Sequence, residues 1–121
     1  MDTTADSNLT KRALAAAMKE LMEQMPFSKI SVSDIAEQCG MNRKSFYYHF
    51  KDKYDLVNWI FDMEYLRLTS EQDYTGIWEF LTVLCGFFYE NRAFYRRALR
   101  IEGQNSFLEH FKEVLEPTIS I

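Results

Sequence analysis

The sequence predicts an all-α chain, on three observations. Four glycines and two prolines in 121 residues are too few for a sandwich or barrel, which needs a turn roughly every eight to twelve residues. Apolar residues recur at helical spacing over most of the length. Capping residues and glycine or proline stops bracket those runs, and no segment alternates as a strand would. The length suits one compact body with its own core.

The elements follow in order. Leu14, Ala17, Met18, Leu21, Met22 and Met25 mark an amphipathic helix from Asn8 or Thr10 to the stop at Pro26, since the residue before a proline avoids the helical region. The polar residues before it, MDTTADSN, read as a mobile tail. SVSD at 31–34 is a capping box opening a short helix through Ile35, Ala36 and Cys39, with Gly40 at its end in the left-handed position that suits glycine. Asn42 caps a second short helix with Phe46 and Phe50 one turn apart. Asp52 and Asp55 form another box before a long helix through Leu56, Trp59, Ile60 and Met63, and TSEQDYTG at 69–76 is a linker. Residues 77–89 are apolar on nearly all sides, as a central helix would be. Two further helices run from Asn91 to Gly103 and from Asn105 or Ser106 to a stop before Pro117.

The short helices at 31–39 and 42–50, joined by three residues that include Gly40, have the dimensions of a helix-turn-helix. Ala36 and Gly40 permit close approach, while Ile35, Cys39, Met41 and Phe46 fill the angle. Counting about 100° per residue from Phe46, Phe50 falls near 40°, and Arg43, Tyr47, Lys44 and Tyr48 fall near 60°, 100°, 160° and 200°. Cations and phenols therefore share an outward stripe. Arginine can fork onto guanine in a major groove, lysine supplies charge, and tyrosine hydroxyls donate to phosphates. A packing role for Tyr47, Tyr48 and His49 is the competing reading, but a helix this short already has two phenylalanines for its inner side.

Charge agrees with a local patch rather than a basic coat. Net charge is −4, yet within 42–53 Arg43, Lys44, Lys51 and Lys53 face only Asp52. Lys53 also sits in a helix's first turn, where free amides favour an anion. Residues 56–121 hold six Lys/Arg against ten Asp/Glu and so carry the acidic excess. Cys39 and Cys85 lack metal or disulfide spacing and read as buried thiols. No leader or membrane span is recognisable, so the cytoplasm is the expected location. His49 and His110 are far apart in sequence, and no phosphate-cradling loop or nucleophile elbow points to an enzyme, a metal or a cofactor.

SVSDIAEQCGMNRKSFYYHFKDKYDLVNWIF resembles the DNA-binding domain of the TetR family of bacterial transcriptional regulators, in the D-I-A segment, the turn glycine and the Y-Y-H-F-K-D-K-Y-D-L run. The likeness covers about residues 10–62. It implies base contacts from Arg43, Lys44 and Tyr47, and phosphate contacts from Ser33, Ser45, Tyr47, Tyr48, His49 and Lys53, with Ser31 and Asn42 as caps. It also implies a homodimer on double-stranded DNA with a palindromic operator, and a body that binds a small-molecule effector or coregulator protein. DKYDLVNWIF, NRAFYRRAL and EGQNSF are similar to the subgroup that includes regulators of dihydroxyacetone kinase operons, some of which activate transcription with a coregulator.

The expected organisation is therefore a three-helix helix-turn-helix domain at 1–55 and a helical ligand-binding and dimerisation region at 56–121, truncated relative to the family. The second region holds thirteen of the aromatics, a density that points to plain core before a cavity. Arg92, Arg96 and Arg100 form an i,i+4 stripe with Arg97 beside it, read first as a solvated face and alternatively as a seat for an anionic effector or partner. The rival to a DNA reader is the same scaffold used as a protein-interaction module.

Overall fold

The computed structural model describes residues 3–70, 74–102 and 107–119. Among these there is no strand. The helices are α1 (Thr3–Gln24), α2 (Val32–Gln38), α3 (Arg43–His49), α4 (Lys53–Ser70), α5 (Ile77–Glu90), α6 (Arg92–Ala98) and α7 (Phe107–Ile119), with a 3-10 turn at Phe27–Lys29.

α1 is the beam on which the rest is laid. Its face of Leu14, Ala17, Met18, Leu21 and Met22 is buried and packs against α2, α3, α4 and α6. The helix begins at Thr3, so the polar segment read as a tail continues it, at least from that residue on. No glycine or proline interrupts residues 3–8, and once a helix is nucleated each added residue gains a hydrogen bond at little further entropic cost.

The core is one continuous cluster from Leu14 to Leu115, and α4 runs through it without a break at residue 55. Leu56, Val57, Ile60 and Phe61 are its buried face. Phe61 is the hub of the second half: its ring lies 5.2 Å from Phe111, 5.4 Å from Phe107 and 6.1 Å from Tyr95, centroid to centroid. These are edge and tilted contacts that aromatic quadrupoles favour. The rings gathered around Phe61 thus fill space instead of lining a hollow.

A polar tie crosses the same region. The Lys19 ammonium of α1 reaches Glu64 of α4 at 2.9 Å, and the Tyr95 hydroxyl of α6 donates to the other oxygen of that carboxylate at 3.0 Å. Burial, with the glutamate charge beside it, pushes the Tyr95 phenol far above its ordinary value, so it stays a donor.

Several expectations fail here. α5 is not enveloped: only Phe80 and Leu84 are buried, while Trp78 is 79% exposed and Tyr89 66%. Its all-round apolar composition conceals a single docked face. Cys85, on this helix, is accordingly exposed, and Cys39 is only half-buried. Finally, α7 continues through Pro117 to Ile119. A proline in a last turn removes one i→i−4 bond, here that to Glu113, and the helix ends before a second is lost. The expected linker is helical to Ser70 and non-helical at 74–76, with 71–73 outside the described residues. α6 stops at Ala98, short of the expected Gly103, and the expected starts of the last helix at Asn105 or Ser106 also lie outside the described residues.

Phe46 is fully buried on α3 and meets Phe50 in a tilted contact at 5.8 Å. Phe46→Ala should cost about 3 to 5 kcal/mol of stability, the range for large aromatic truncations in a core. Chemical denaturation of the variant checks this, and an unchanged midpoint would mean that α3 is rotated away from the core.

Candidate nucleic-acid interface

The site is built from caps outward. Ser31 Oγ accepts the Asp34 amide at 3.0 Å, and the Asp34 carboxylate accepts the Ser31 amide at 2.9 Å, a complete capping box for α2. The Ser31 backbone amide, with the Ser31 hydroxyl as the smaller contribution, holds the Asp34 carboxyl below its usual range. α2 ends in a Schellman turn: Met41 N–H reaches Ala36 C=O at 2.8 Å and Gly40 N–H reaches Glu37 C=O at 3.1 Å. Gly40 has φ of 72°, and no heavy atom lies within 4 Å of where a Cβ would sit. Backbone conformation, not crowding, therefore requires glycine there.

Asn42 Oδ1 then accepts the Ser45 amide at 2.9 Å and starts α3. Asp52 Oδ1 accepts the Asp55 amide at 2.8 Å and starts α4, but the Asp55 carboxylate accepts from Lys51 N–H, one residue before the cap, so this second box is offset from the expected one. Between these fixed ends α3 has one freedom left, rotation about its axis. Phe46 and Phe50 remove it by sitting at 0% and 3% exposure.

The opposite face carries the expected groups. Tyr48 is 84% exposed and Tyr47 48%, and Arg43 and Lys44 are exposed with no carboxylate partner among the described residues. Tyr47 meets Phe46 edge-on at 5.4 Å, so one side of its ring is braced while the rest faces out. Ser45 and Ser33 are half-buried, in the first turns of α3 and α2. Lys51, just beyond α3, is exposed.

Two of the expected contacts sit differently. His49 turns toward α1, with Nδ1 3.4 Å from Ser7 Oγ, and meets Tyr48 edge-on at 5.0 Å. Burial and the nearby Lys11 ammonium lower its pKa, favouring a neutral ring at pH 7. Lys53 reaches back under the 3-10 turn. Its ammonium donates to the carbonyls of Phe27 and Ile30, both at 2.8 Å, and lies 4.2 Å from the centroid of the Phe27 ring. Burial lowers its pKa, with Asp34 opposing the shift. Two of its three donors are thus spent inside the protein.

This three-helix unit with its outward stripe has known counterparts. Residues 12–60 match the family model of bacterial regulatory proteins, tetR family. An HTH-type dhaKLM operon transcriptional activator, DhaS, of Lactococcus lactis subsp. lactis (strain IL1403) is 31% identical over 116 residues, 93% of this chain. Residues 12–60 are a TetR-family domain. The chain spans 62% of that relative's length. A solved structure of a dihydroxyacetone kinase operon activator, DhaS, superposes with a TM-score of 0.67 at 30% identity, covering 91% of this chain and 64% of that one.

Within this TetR-type unit, sequence reasoning missed the approach of α1 to α3. Lys11 and Ser7 lie at the His49 end of the stripe, and a separation of 42 positions along the chain gives no signal of that contact. It also missed the inward turn of Lys53, for which the only hint is a carbonyl-rich turn next to Pro26. Lys53→Met, which keeps the apolar stem, should lower folding stability by about 1 to 3 kcal/mol because two carbonyls lose their donor. A thermal melt tests this, and an unchanged melting temperature would return Lys53 to the role of a free surface cation.

Proposed function

We propose that the chain is a sequence-specific, DNA-binding transcriptional regulator of TetR type rather than an enzyme, acting in the cytoplasm. α3 enters the major groove, with Arg43 and Lys44 reading bases, Tyr47 bridging base and backbone, and Tyr48, Ser33, Ser45 and His49 set against phosphates. The observation that carries this reading is the exposed row of Arg43, Lys44, Tyr47 and Tyr48 behind which Phe46 is fully buried. Large rings left in water on a seven-residue helix have no packing use, and unpaired cations beside them match a polyanion. Lys11 and Lys51 extend the positive surface at the His49 end of the stripe. Lys53 serves mainly as a strut, with one donor left for a phosphate.

A homodimer on a palindromic operator follows from the geometry of such readers, whose half-sites lie about 34 to 36 Å apart. The exposed apolar surface of the second half, Trp78 and Tyr89 on α5 with Leu66 on α4, favours contact there with a second subunit or a coregulator. No helix among the described residues is long and apolar enough to cross a membrane.

The test begins with selection of bound duplexes from a random pool, followed by anisotropy titrations at several salt concentrations. The expected result is a recovered palindrome and affinity that falls steeply as salt rises. Salt-independent binding or no recovered sequence would favour a protein-interaction module on the same scaffold. On the selected site, Arg43→Ala should lose about 1 to 3 kcal/mol and relax preference at one base pair. An equal loss on random duplex would make Arg43 a backbone contact.

A further inference from the structure

Where the reader meets the second half, a cleft of about 820 Å³ opens between the turn after α1, the first turn of α4, and α6. Phe27 and Tyr54 give it a ring-lined wall, their centroids 5.1 Å apart, and Arg96, Arg97 and Arg100 give it a cationic one. Among the described residues, none of these three guanidinium groups has a hydrogen-bond or ion-pair partner, although Glu23 and Glu102 line the same space. Arg92, one turn earlier, differs: its guanidinium donates to the Tyr89 carbonyl at 2.8 Å and lies over the Tyr89 ring. Like charges held close together repel, and three unpaired cations gathered at one cleft, two on α6 and Arg100 just beyond its end, leave an electrostatic cost that a bound anion would offset.

We propose that this cleft binds a free small organic oxyanion, with a phosphate or carboxylate head on the Arg96, Arg97 and Arg100 guanidinium forks and an apolar or ring portion against Tyr54 and Phe27. Planar guanidinium groups match either head in bidentate fashion. The volume falls within the roughly 300 to 1,000 Å³ usual for small-molecule sites. Three arginines against two glutamates leave a single net positive charge, which suits a compact ligand and disfavours a polyanionic duplex. An occupant would join α6 to Tyr54, next to Lys53, whose ammonium pins the turn beneath the reader. Its effect on operator affinity rests on the function proposed above; its binding does not.

Calorimetric titration of the full chain, without DNA, with phenyl phosphate and with benzoate tests the site. Saturable binding of one of these probes per chain is expected, weakened about tenfold or more in R96Q/R100Q and unchanged in R92Q. Both substituted arginines are exposed, and a melting temperature equal to that of the parent confirms an intact fold. No saturable binding of either probe overturns the proposal. So does equal weakening in R92Q, which would mean that general charge attracts the anion. If R96Q/R100Q loses affinity for random duplex while neither probe binds, the oxyanion is backbone phosphate and the small-molecule site is refuted.

Discussion

Burial of Phe46 and Phe50 is the constraint on which the rest depends. A helix of seven residues is far shorter than the roughly 12 to 15 needed for marginal stability alone, so α3 exists because its inner face is docked. Two rings one turn apart fix its rotation as well as its position. Once they are inside, the residues at the other azimuths have no choice of side. Lys44 and Tyr48 are outward because Phe46 is inward, and Arg43 is exposed because it opens the helix, beyond the reach of the two rings.

α4 carries that arrangement into the remainder of the chain. Its first turn holds the Lys53 strut under the 3-10 turn, its middle supplies Ile60 and Phe61 to the common core, and its fourth turn offers Glu64 to both Lys19 and Tyr95. A half-buried carboxylate with two donors from two other helices ties those helices together. Reader and body are therefore coupled through packed rings and this polar tie, and the arginine cleft lies along the same seam.

The features legible in the sequence are those written in local chemistry. Ser31 with Asp34, Gly40 and Asn42 each act on backbone groups within three or four residues, so spacing alone announced α2, α3 and the turn between them. Periodicity sufficed for α1, whose apolar face is clean, while α4, which leaves Met63 and Leu66 exposed, was announced by its Asp52 cap. It misled for α5, where Trp78, Cys85 and Tyr89 make the composition apolar all round while only Phe80 and Leu84 are docked deeply: composition records what a helix could bury, not what lies beside it. Lys53, His49 and the arginine cleft were opaque for a related reason. Each owes its setting to residues about 20 or more positions away, and a charged side chain gives no sign of whether it will reach water or fold back on a carbonyl.

The most direct measurement is a nuclear magnetic resonance titration of isotope-labelled protein with duplex DNA. The account predicts that resonances of Arg43, Lys44, Tyr47 and Tyr48 shift first and furthest, that those of Lys11 and Lys51 follow, and that the buried ring of Phe46 keeps its contacts with Phe50. Shifts confined to α5, α6 and α7, with the outer face of α3 untouched at saturation, would contradict it.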